Sequence, residues 1–595
     1  MRSRRILLTL LIVFALLLGG GAALLWSGRL HARVRSQLIA SAGVSLDREV
    51  AVGRVRGDPW RGVVIEDLAV ARTDRISEGV MIRARRAEIR FDVPALARDL
   101  LSGRGVLPSI RQITLIQPSL LLEVSRQGRW NVLDLLRGQP PTEANVFAPL
   151  VEIREGSADF TDAFGLARPF TARFARIEGT VDLRAWPRVR VNAALVSLRG
   201  PQATPLTARG TYLAGVDALD LDVAATRAPL AQWGHYFVRT PGFLLDRGEA
   251  DAAFHILRTR WSGRRTLDYR GTLRLYDAEA LLEPQRTRLR DARGVIEVDN
   301  LRVRSEDLAL SVEGSPLRLR GEMVSTARGR RLDLWAASEE MDLATLRRLL
   351  FPGSQLALAG HTGAEVRITG PLQTLTVEGA LYDARGAINA QPFTIAASGV
   401  TLAGDLLALD GLTGTAGEAR LAGEVRHLLG TAELLVAGEA RQLTAQVWRR
   451  AGIPLSLPLE GRLDGTLALG RTGDRLVVEA ALAMGRGDAG GLAVDGLRAG
   501  GWIEDGEIFL PYLVAARGSA RVHASGAISQ SGRLAMDVAA EDLDLGRISA
   551  LVRLAPRLTG MADGSGRLEG SLAAPVFTGE VVVGRGRFGA LTFDG

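Results

Sequence analysis

Residues 301–320 read LRVRSEDLALSVEGSPLRLR, and this stretch decides the fold of the chain. Apolar side chains recur at every second position, and mostly polar residues fill the positions between them, which is the period of a half-buried β-strand. Acidic and glycine-containing breaks divide the stretch into short runs, so the pattern predicts successive strands with one apolar face. The aliphatic residues that we expect to line this face are Leu301, Val303, Leu308, Leu310, Val312, Leu317 and Leu319.

The same alternation continues over residues 147–595. The short spacing between runs favours antiparallel meanders over βαβ units. An internal repeat of about 100 residues also runs through this region: a strand, a short helix, a proline and a glycine-rich strand pair recur around Leu343, Leu443 and Leu545, with a looser copy around Leu230. Repetition of this kind predicts an elongated array in which each unit packs on its neighbours.

The apolar face of such strands needs a partner, and two arrangements provide one. The strands either close on each other as a packed β-sandwich or β-helix, or curl part-way and leave an apolar groove. Aromatic residues make up 5% of the chain, and small aliphatic side chains would leave room in a groove. The last strand pair, from Phe577 to Gly595, has no closing element, so we expect the chain to be an N-terminal fragment of a longer protein.

The N-terminus carries an uncharged segment from Ile6 to Trp26, preceded by three arginines among the first five residues. A helix of this length spans roughly 31 Å, enough to cross a bilayer, and the basic flank places the first residues in the cytoplasm. The alternative is a cleavable signal peptide, because small residues at 19–23 offer a cleavage site. Either reading exports the rest of the chain. The expected anchor residues are Ile6, Leu10, Phe14, Leu18 and Trp26.

The predicted organisation therefore has four parts. Residues 1–28 form the cytoplasmic tip and the membrane anchor, and residues 29–138 form a first unit of short strands with a helix over 94–101. Residues 139–146 are a proline-containing linker, and residues 147–595 are the repetitive β-rich part. The fold class is mainly β, with one transmembrane helix followed by an elongated, curled antiparallel array and short interspersed helices.

Composition and motifs argue against catalysis. The chain has no cysteine, and its six histidines are scattered without metal-ligand spacing. Two Gly-x-Gly-x-x-Gly matches, at 485–490 and 584–589, are followed by strand-like sequence instead of the helix that a dinucleotide site needs. The net charge of +8 is spread along the chain and forms no basic patch with interleaved aromatics. These patterns indicate no catalytic site, metal, cofactor or nucleic-acid partner.

The most specific signal lies in the first unit, where a strand leads to Gln117-Pro118-Ser119-Leu120 and then to Gly128-Arg129-Trp130-Asn131 and a leucine-rich stretch. This arrangement resembles the N-terminal signature of the AsmA-like (bridge-like lipid transfer) proteins, and the TamB-like members most of all. The residues that carry the resemblance are Pro118, Gly128, Trp130 and Asn131.

The resemblance implies a protein anchored in the inner membrane by a single span, with its bulk in the periplasm as a β-groove with an apolar interior. It also implies binding of phospholipid acyl chains and carriage of phospholipid to the outer membrane. The alternative function is a scaffold or chaperone for outer-membrane protein assembly and secretion, in a translocation and assembly module with a barrel partner of the Omp85 type. The C-terminal domain that marks TamB-like proteins is absent from these residues, which leaves the barrel partnership open. A surface adhesin built as a β-helix is a third possibility.

Overall fold

A computed structural model describes residues 48–594 together with Ser36 and Leu46. The gaps in this range are residues 59–61, 103–105, 128–129, 133–147, 165–167, 201, 215, 217, 238–242, 262–263, 283–286, 351–356, 373, 432, 451–458, 474, 490–491, 552–556 and 572–573. The chain divides into two compact units, Met1–Arg304 and Ser305–Gly595.

The protein is mainly β, as the alternating pattern predicts. The strands that lie within the first unit are β1 Val50–Ala51, β2 Val55–Asp58, β3 Gly62–Ala71, β4 Val80–Phe91, β5 Ile110–Val124, β6 Leu150–Asp162, β7 Phe170–Ala185, β8 Arg188–Ser197, β9 Thr204–Leu213, β10 Ala218–Pro229, β11 Phe243–Trp261, β12 Arg264–Leu282 and β13 Thr287–Asp299.

The boundary between the units falls within β14, Arg302–Val312. The strands of the second unit are β15 Ser315–Thr326, β16 Gly329–Asp342, β17 Leu358–Pro371, β18 Thr376–Ile388, β19 Gln391–Ala403, β20 Leu406–Ala416, β21 Ala419–Leu428, β22 Leu434–Thr444, β23 Leu459–Thr472, β24 Arg475–Ala489, β25 Leu492–Val494, β26 Gly496–Glu504, β27 Glu507–Arg517, β28 Ala520–Ile528, β29 Arg533–Asp544, β30 Leu558–Ser571, β31 Ala574–Phe588 and β32 Leu591–Phe593.

The helices are few and short. They are α1 Val93–Leu101, α2 Leu230–Phe237, α3 Leu343–Leu350, α4 Ala445–Arg450 and α5 Leu545–Leu551, with 3-10 turns at Ile76–Glu78 and Leu107–Ser109. The helix over Val93–Leu101 lies where the sequence predicts one. Helices α2 to α5 stand at the corresponding place of each sequence repeat, between one long strand and the next.

Strands that follow each other in the chain pair antiparallel almost throughout. Among the strand pairs whose register the structure describes, only β5–β6 is parallel, with Leu115 opposite Ile153. The expectation of a purely antiparallel array is therefore wrong, and the sheet is mixed. A parallel pair needs a crossover connection, and residues 125–149 provide it.

Two strands of the first unit contain, between two apolar runs, a residue with a left-handed backbone. Val63–Ile65 and Leu68–Val70 both belong to β3, and the break between them is Asp67, which has a left-handed backbone with φ 57°. Likewise Ile113–Ile116 and Leu120–Val124 form β5, with Gln117 at φ 52°. Pairing with the neighbouring strands continues past both residues in the same register, so neither residue ends its strand.

A compact core lies at the start of the first unit, where α1 packs on strands β3 to β5. Leu96 from α1 is 5% exposed, and Val106 and Leu107 beside it are 0% and 9% exposed. They share one apolar cluster with Ile65, Ala87 and other residues of the three strands. Helix α1 begins after Asp92, whose carboxylate accepts the N–H of Ala95 at 3.1 Å, as an N-cap residue does.

The predicted anchor, residues 1–28 with Ile6, Leu10, Phe14, Leu18 and Trp26, lies outside the described residues, and so does the predicted linker 139–146. Among the helices that the structure does describe, none is long and apolar enough to span a bilayer.

Candidate apolar surface

Strand register places apolar residues opposite one another in unbroken rows. In the first unit one such row crosses all strands from β3 to β13 on a single face of the sheet. Its members are Ile65, Ala87, Leu115, Ile153, Gly179, Ala193, Ala208, Val223, Phe254, Gly271 and Val298. A row beside it begins at Val63 and continues through Ile89 and Ile113.

The second unit has a row of the same kind from β15 to β30. Its members are Leu319, Ala336, Val366, Gly379, Val400, Leu409, Val425, Val436, Leu469, Val478, Ile503, Ile508, Ile528, Leu534 and Gly570. Every residue in it is aliphatic or glycine. Neighbouring strands lie about 4.8 Å apart, so the row alone extends roughly 65 Å.

Most of these side chains are half-buried, which is unusual for aliphatic residues inside a long sheet. Val223 and Val298 in the first unit, and Val400, Val425 and Val436 in the second, all keep part of their surface exposed. Residues of a closed two-layer core would be buried almost completely. Over much of each row, therefore, no second layer of described residues covers the apolar face.

The size of this surface is large enough to need an explanation. Residues two apart in a strand lie about 6.7 Å apart, so each row occupies a strip roughly that wide. Over the roughly 65 Å of the second unit, one row alone covers on the order of 400 Å², comparable with the largest apolar patch of a typical soluble monomer. The surface is thus the strongest candidate for a binding site.

The helices of the repeats border this surface. Val447 of α4 packs against a cluster that contains Leu443, Leu463 and Met484, all on the apolar face. Leu343 of α3 approaches the backbone of Gly386 so closely that a methyl group there would meet its Cδ1 atom at 3.1 Å. Each of these two helices therefore covers the apolar face near the strand end from which it starts.

A repeated bulge positions three of these helices. The third residue before each helix has a left-handed backbone: Arg227 before α2, Gln442 before α4 and Asp542 before α5, with φ of 52°, 58° and 51°. In each case the backbone N–H of that residue donates to an aspartate carboxylate on the strand after the helix. The acceptors are Asp251 at 2.9 Å, Asp464 at 2.7 Å and Asp563 at 2.7 Å.

The α3 repeat departs from this pattern in two places at once. The aspartate stands three residues after a glycine in the other repeats, as Asp464 follows Gly461, but Gly363 occupies that position in the α3 repeat. Gly363 lies under the ring of Tyr382, since a methyl group there would meet ring atoms at 2.1 to 2.6 Å. The residue three before α3, Glu340, does not have a left-handed backbone. Loss of the carboxylate thus accompanies loss of the left-handed residue that it would hold.

The opposite face of the sheet is polar. One row across β9 to β13 contains Arg209, Asp222, His255, Arg270 and Asp299. The Nδ1 atom of His255 lies 2.8 Å from the carboxylate of Asp222. Opposite charges in directly opposed positions, Arg209 with Asp222 and Arg270 with Asp299, stabilise a solvated sheet face. Over β9 to β13, therefore, only the face with the aliphatic row is suited to an apolar ligand.

The predicted lining residues differ in exposure, and strand register places Leu319, with Leu317 two residues before it, on the apolar face. Val303, Leu308, Leu317 and Leu319 are half-buried. Leu310 and Val312 are 6% and 9% exposed, so they contribute little surface. Leu301 is 62% exposed and lies in the turn before β14, where the carboxylate of Asp299 accepts its N–H at 2.8 Å. Leu301 therefore precedes β14, because the side chain of Asp299 closes the turn there.

The motif residues have structural roles near β5. Pro118 is fully buried and directly follows Gln117, which has a left-handed backbone. Asn131 satisfies both sides of its amide, donating to the carbonyl of Leu121 at 2.7 Å and accepting the N–H of Glu123 at 2.9 Å. Trp130 forms a bridge with Val124. Gly128 lies outside the described residues.

The structure contains an aromatic cluster around α2 that the sequence analysis did not predict. The ring of Phe170 stacks on Tyr236 of α2 with 4.3 Å between ring centroids, and it also contacts Phe160 and Trp233. Trp130 joins the cluster through Phe160 at 5.8 Å. The cluster holds α2 against β6 and β7. The sequence does contain a signal for this cluster, since aromatic residues are scarce in the chain but recur within 130–236.

The two glycine-rich matches lie within strands. Gly485 and Gly487 belong to β24, and Gly584 and Gly586 belong to β31, so neither stretch opens a helix as a dinucleotide site requires. Within the described part of the chain, no three histidine or carboxylate side chains are grouped as metal ligands.

Comparison with known proteins does not assign the chain to a family: no family model matches it, and no curated protein matches it. The fold and its surface define a class in physical terms. The chain is a mainly β protein with a mixed sheet, and in each of its two units the described strands carry a long row of half-exposed aliphatic residues on one face.

Proposed function

We propose that this protein carries phospholipid acyl chains along the apolar face of its sheet. The observation that supports the proposal is the pair of aliphatic rows, which stay half-exposed across strand after strand while the opposite face is charged. An acyl chain gains about 0.8 kcal/mol for each methylene that it buries, so a continuous strip would hold a chain without any specific polar contact. A uniform strip would also let the chain slide, because neighbouring positions on it are equivalent.

In the full proposal the sheet curls part-way into a groove, and the segment Ile6–Trp26 anchors the chain in the inner membrane, with the bulk in the periplasm. The resemblance of the Pro118 to Asn131 stretch to AsmA-like proteins supports this location and the transfer of phospholipid toward an outer membrane. The protein would then be a conduit and not an enzyme, because the rows contain no side chain that could perform chemistry.

Photo-cross-linking at two adjacent residues of β22 tests the proposal. Val436 belongs to the apolar row, whereas Leu435 pairs with Arg426 and Gly470 on the opposite face and is 46% exposed. A photoreactive residue at 436, in the protein expressed in its membrane-bound form, should form adducts with phospholipid. The same residue at 435 should form far fewer, although it is an apolar and more exposed position.

Equal adduct yields at the two positions would show that lipid contacts are unspecific, and the proposal would fail. Adducts of position 436 with an outer-membrane barrel protein, in place of lipid, would favour the scaffold function instead.

A further inference from the structure

The apolar row of the first unit is closed at one end. Its first members Ile65, Ala87 and Leu115 are 4%, 0% and 8% exposed, so β3, β4 and β5 offer no surface to a ligand. From β6 onward the row is half-exposed, beginning with Ile153 and Gly179. The change occurs between two directly paired residues, Leu115 and Ile153.

Helix α1 and the 3-10 turn after it produce this closure. Leu96, Val106 and Leu107 pack on the row and share its buried cluster. The backbone also fixes the helix in place, since the N–H of Asp92 donates to the carbonyl of Ser109 at 2.8 Å. The hydroxyl of Ser109 in turn donates to the carbonyl of Val106 at 2.7 Å. These hydrogen bonds join the residue before α1 to the end of the 3-10 turn, so α1 and the turn are held as a fixed part of the core.

The open part of the row begins at the parallel strand pair. Strand β6 pairs with β5 on one side and with β7 on the other, and its residues Val151 and Ile153 are half-buried on the apolar face. Val151 lies at the edge of the cluster that α1 covers, whereas Ile153, two residues further along on the same face, is not part of that cluster. Among the described residues, the row is therefore covered from β3 to β5 and half-exposed from Ile153 onward.

We infer that helix α1 permanently covers the apolar row at β3 to β5. Acyl chains then enter the row from the side of the sheet, at β6 and β7. This inference rests on the proposed function and adds to it the place where the lipid path begins. It also predicts that a donor membrane or a donor protein must present the acyl chain to the side of the sheet at β6.

A leucine-sized diazirine amino acid placed at one position at a time tests the inference in the full-length, membrane-bound protein, with phospholipid as the cross-linking partner. Position 153 should give lipid adducts several-fold above position 115, although the two residues are paired neighbours. The variant Leu96→Ala, which removes side-chain atoms of α1 that cover the row, should raise the adduct yield at 115. The matched control is Arg98→Ala, since Arg98 is exposed on the same helix, and it should leave the yield at 115 unchanged.

Equal yields at 115 and 153 in the parent protein would overturn the inference, and so would equal effects of Leu96→Ala and Arg98→Ala. Adducts at position 436 separate the two claims. If 436 is labelled and 153 is not, sideways loading at β6 is wrong while lipid binding stands. If none of these positions is labelled, the proposed function itself fails.

Discussion

The carboxylate of Asp464 accepts the backbone N–H of Gln442 at 2.7 Å, across the β22–β23 pair and one turn before helix α4. Gln442 has a left-handed backbone with φ 58°, so its N–H points away from the regular ladder and needs an acceptor elsewhere. The same relationship joins Arg227 to Asp251 and Asp542 to Asp563. The aspartate carboxylate therefore holds the bulge at which the strand ends and the helix that borders the apolar face begins.

Removing the carboxylate should loosen the bulge. The variant Asp464→Ala leaves the N–H of Gln442 without its charged acceptor, which costs about 1–3 kcal/mol. Since 1.4 kcal/mol is a factor of ten, hydrogen exchange at the end of β22 should become roughly 5- to 100-fold faster. The control is Glu460→Ala, an exposed carboxylate on the same strand, which should have little effect. Unchanged exchange in Asp464→Ala would show that the hydrogen bond does not hold the bulge.

The exceptional repeat provides a second test. Gly363 replaces the aspartate in the α3 repeat, and the ring of Tyr382 fills the space above it. The variant Gly363→Ala should destabilise the β17–β18 pair by about 1–3 kcal/mol, because the added methyl group overpacks against the ring. The same substitution in a Tyr382→Ala background should cost much less. A double-mutant cycle read by hydrogen exchange measures the difference, and simple additivity would contradict this explanation of Gly363.

Alternation in the sequence was enough to predict strands and their two faces, because side-chain period depends only on local geometry. It could not predict that Asp67 and Gln117 lie inside continuous strands, since a polar residue between two apolar runs looks the same in a turn and inside a strand. Nor could it predict the parallel pairing of β5 with β6, which depends on the path of residues 125–149. The rows depend on register between strands, and register is a property of strand pairs rather than of any one strand.

The same limit explains why the predicted lining residues differ in exposure. Leu310 and Leu308 have identical alternation, yet Leu310 is 6% exposed and Leu308 is half-buried. Burial on a shared face depends on which helix or strand end lies above it, and the pattern of a single strand does not contain that information. The repeat was more informative, because the positions of Leu343 and Leu545 predicted where helices stand.

Acid should release the bulge before α2. The hydroxyl of Tyr276, which donates at 2.6 Å, and the backbone N–H of Arg227 hold the pKa of Asp251 below its ordinary value. A carboxyl group whose pKa is lowered by folding stabilises the fold above its ordinary pKa of about 4, and this contribution disappears as the pH falls through the lowered value. Hydrogen exchange around Arg227, corrected for intrinsic rates, should therefore accelerate below about pH 4.

The variant Tyr276→Phe checks the cause of this acid response. It removes the largest influence on the Asp251 carboxyl group, so its pKa should move back toward the ordinary value. The acid transition of the Arg227 region should then begin at a higher pH than in the parent chain. An unchanged transition would mean that another group controls it.

The amide of Asn131 should be important for the edge of β5. Asn131→Ala removes both of its hydrogen bonds to the backbone of Leu121 and Glu123, which should cost about 1–3 kcal/mol and speed hydrogen exchange at Glu123. Asn131→Asp keeps the acceptor but replaces the donor, so a carboxylate oxygen would face the carbonyl of Leu121. This variant should not rescue the loss. Gln127→Ala, at an exposed position nearby, is the control. Equal exchange in all variants would mean that this part of the family-like motif is not structural.

A charge on the apolar row should stop lipid movement without unfolding the sheet. Val436→Arg places a guanidinium on the strip, where an acyl chain would have to leave the surface to pass it, and several kcal/mol of methylene contacts would be lost over a few carbons. Leu435→Arg adds the same charge one residue earlier on the face that already carries Arg426 and Asp410, which form an ion pair. Both positions belong to β22 and keep the same backbone hydrogen bonds.

Transfer of fluorescent phospholipid between donor and acceptor vesicles should fall sharply in Val436→Arg and remain near the parent rate in Leu435→Arg. Normal transfer in a folded Val436→Arg protein would show that lipid does not follow this row, whereas equal loss in both variants would show that the effect is one of net charge.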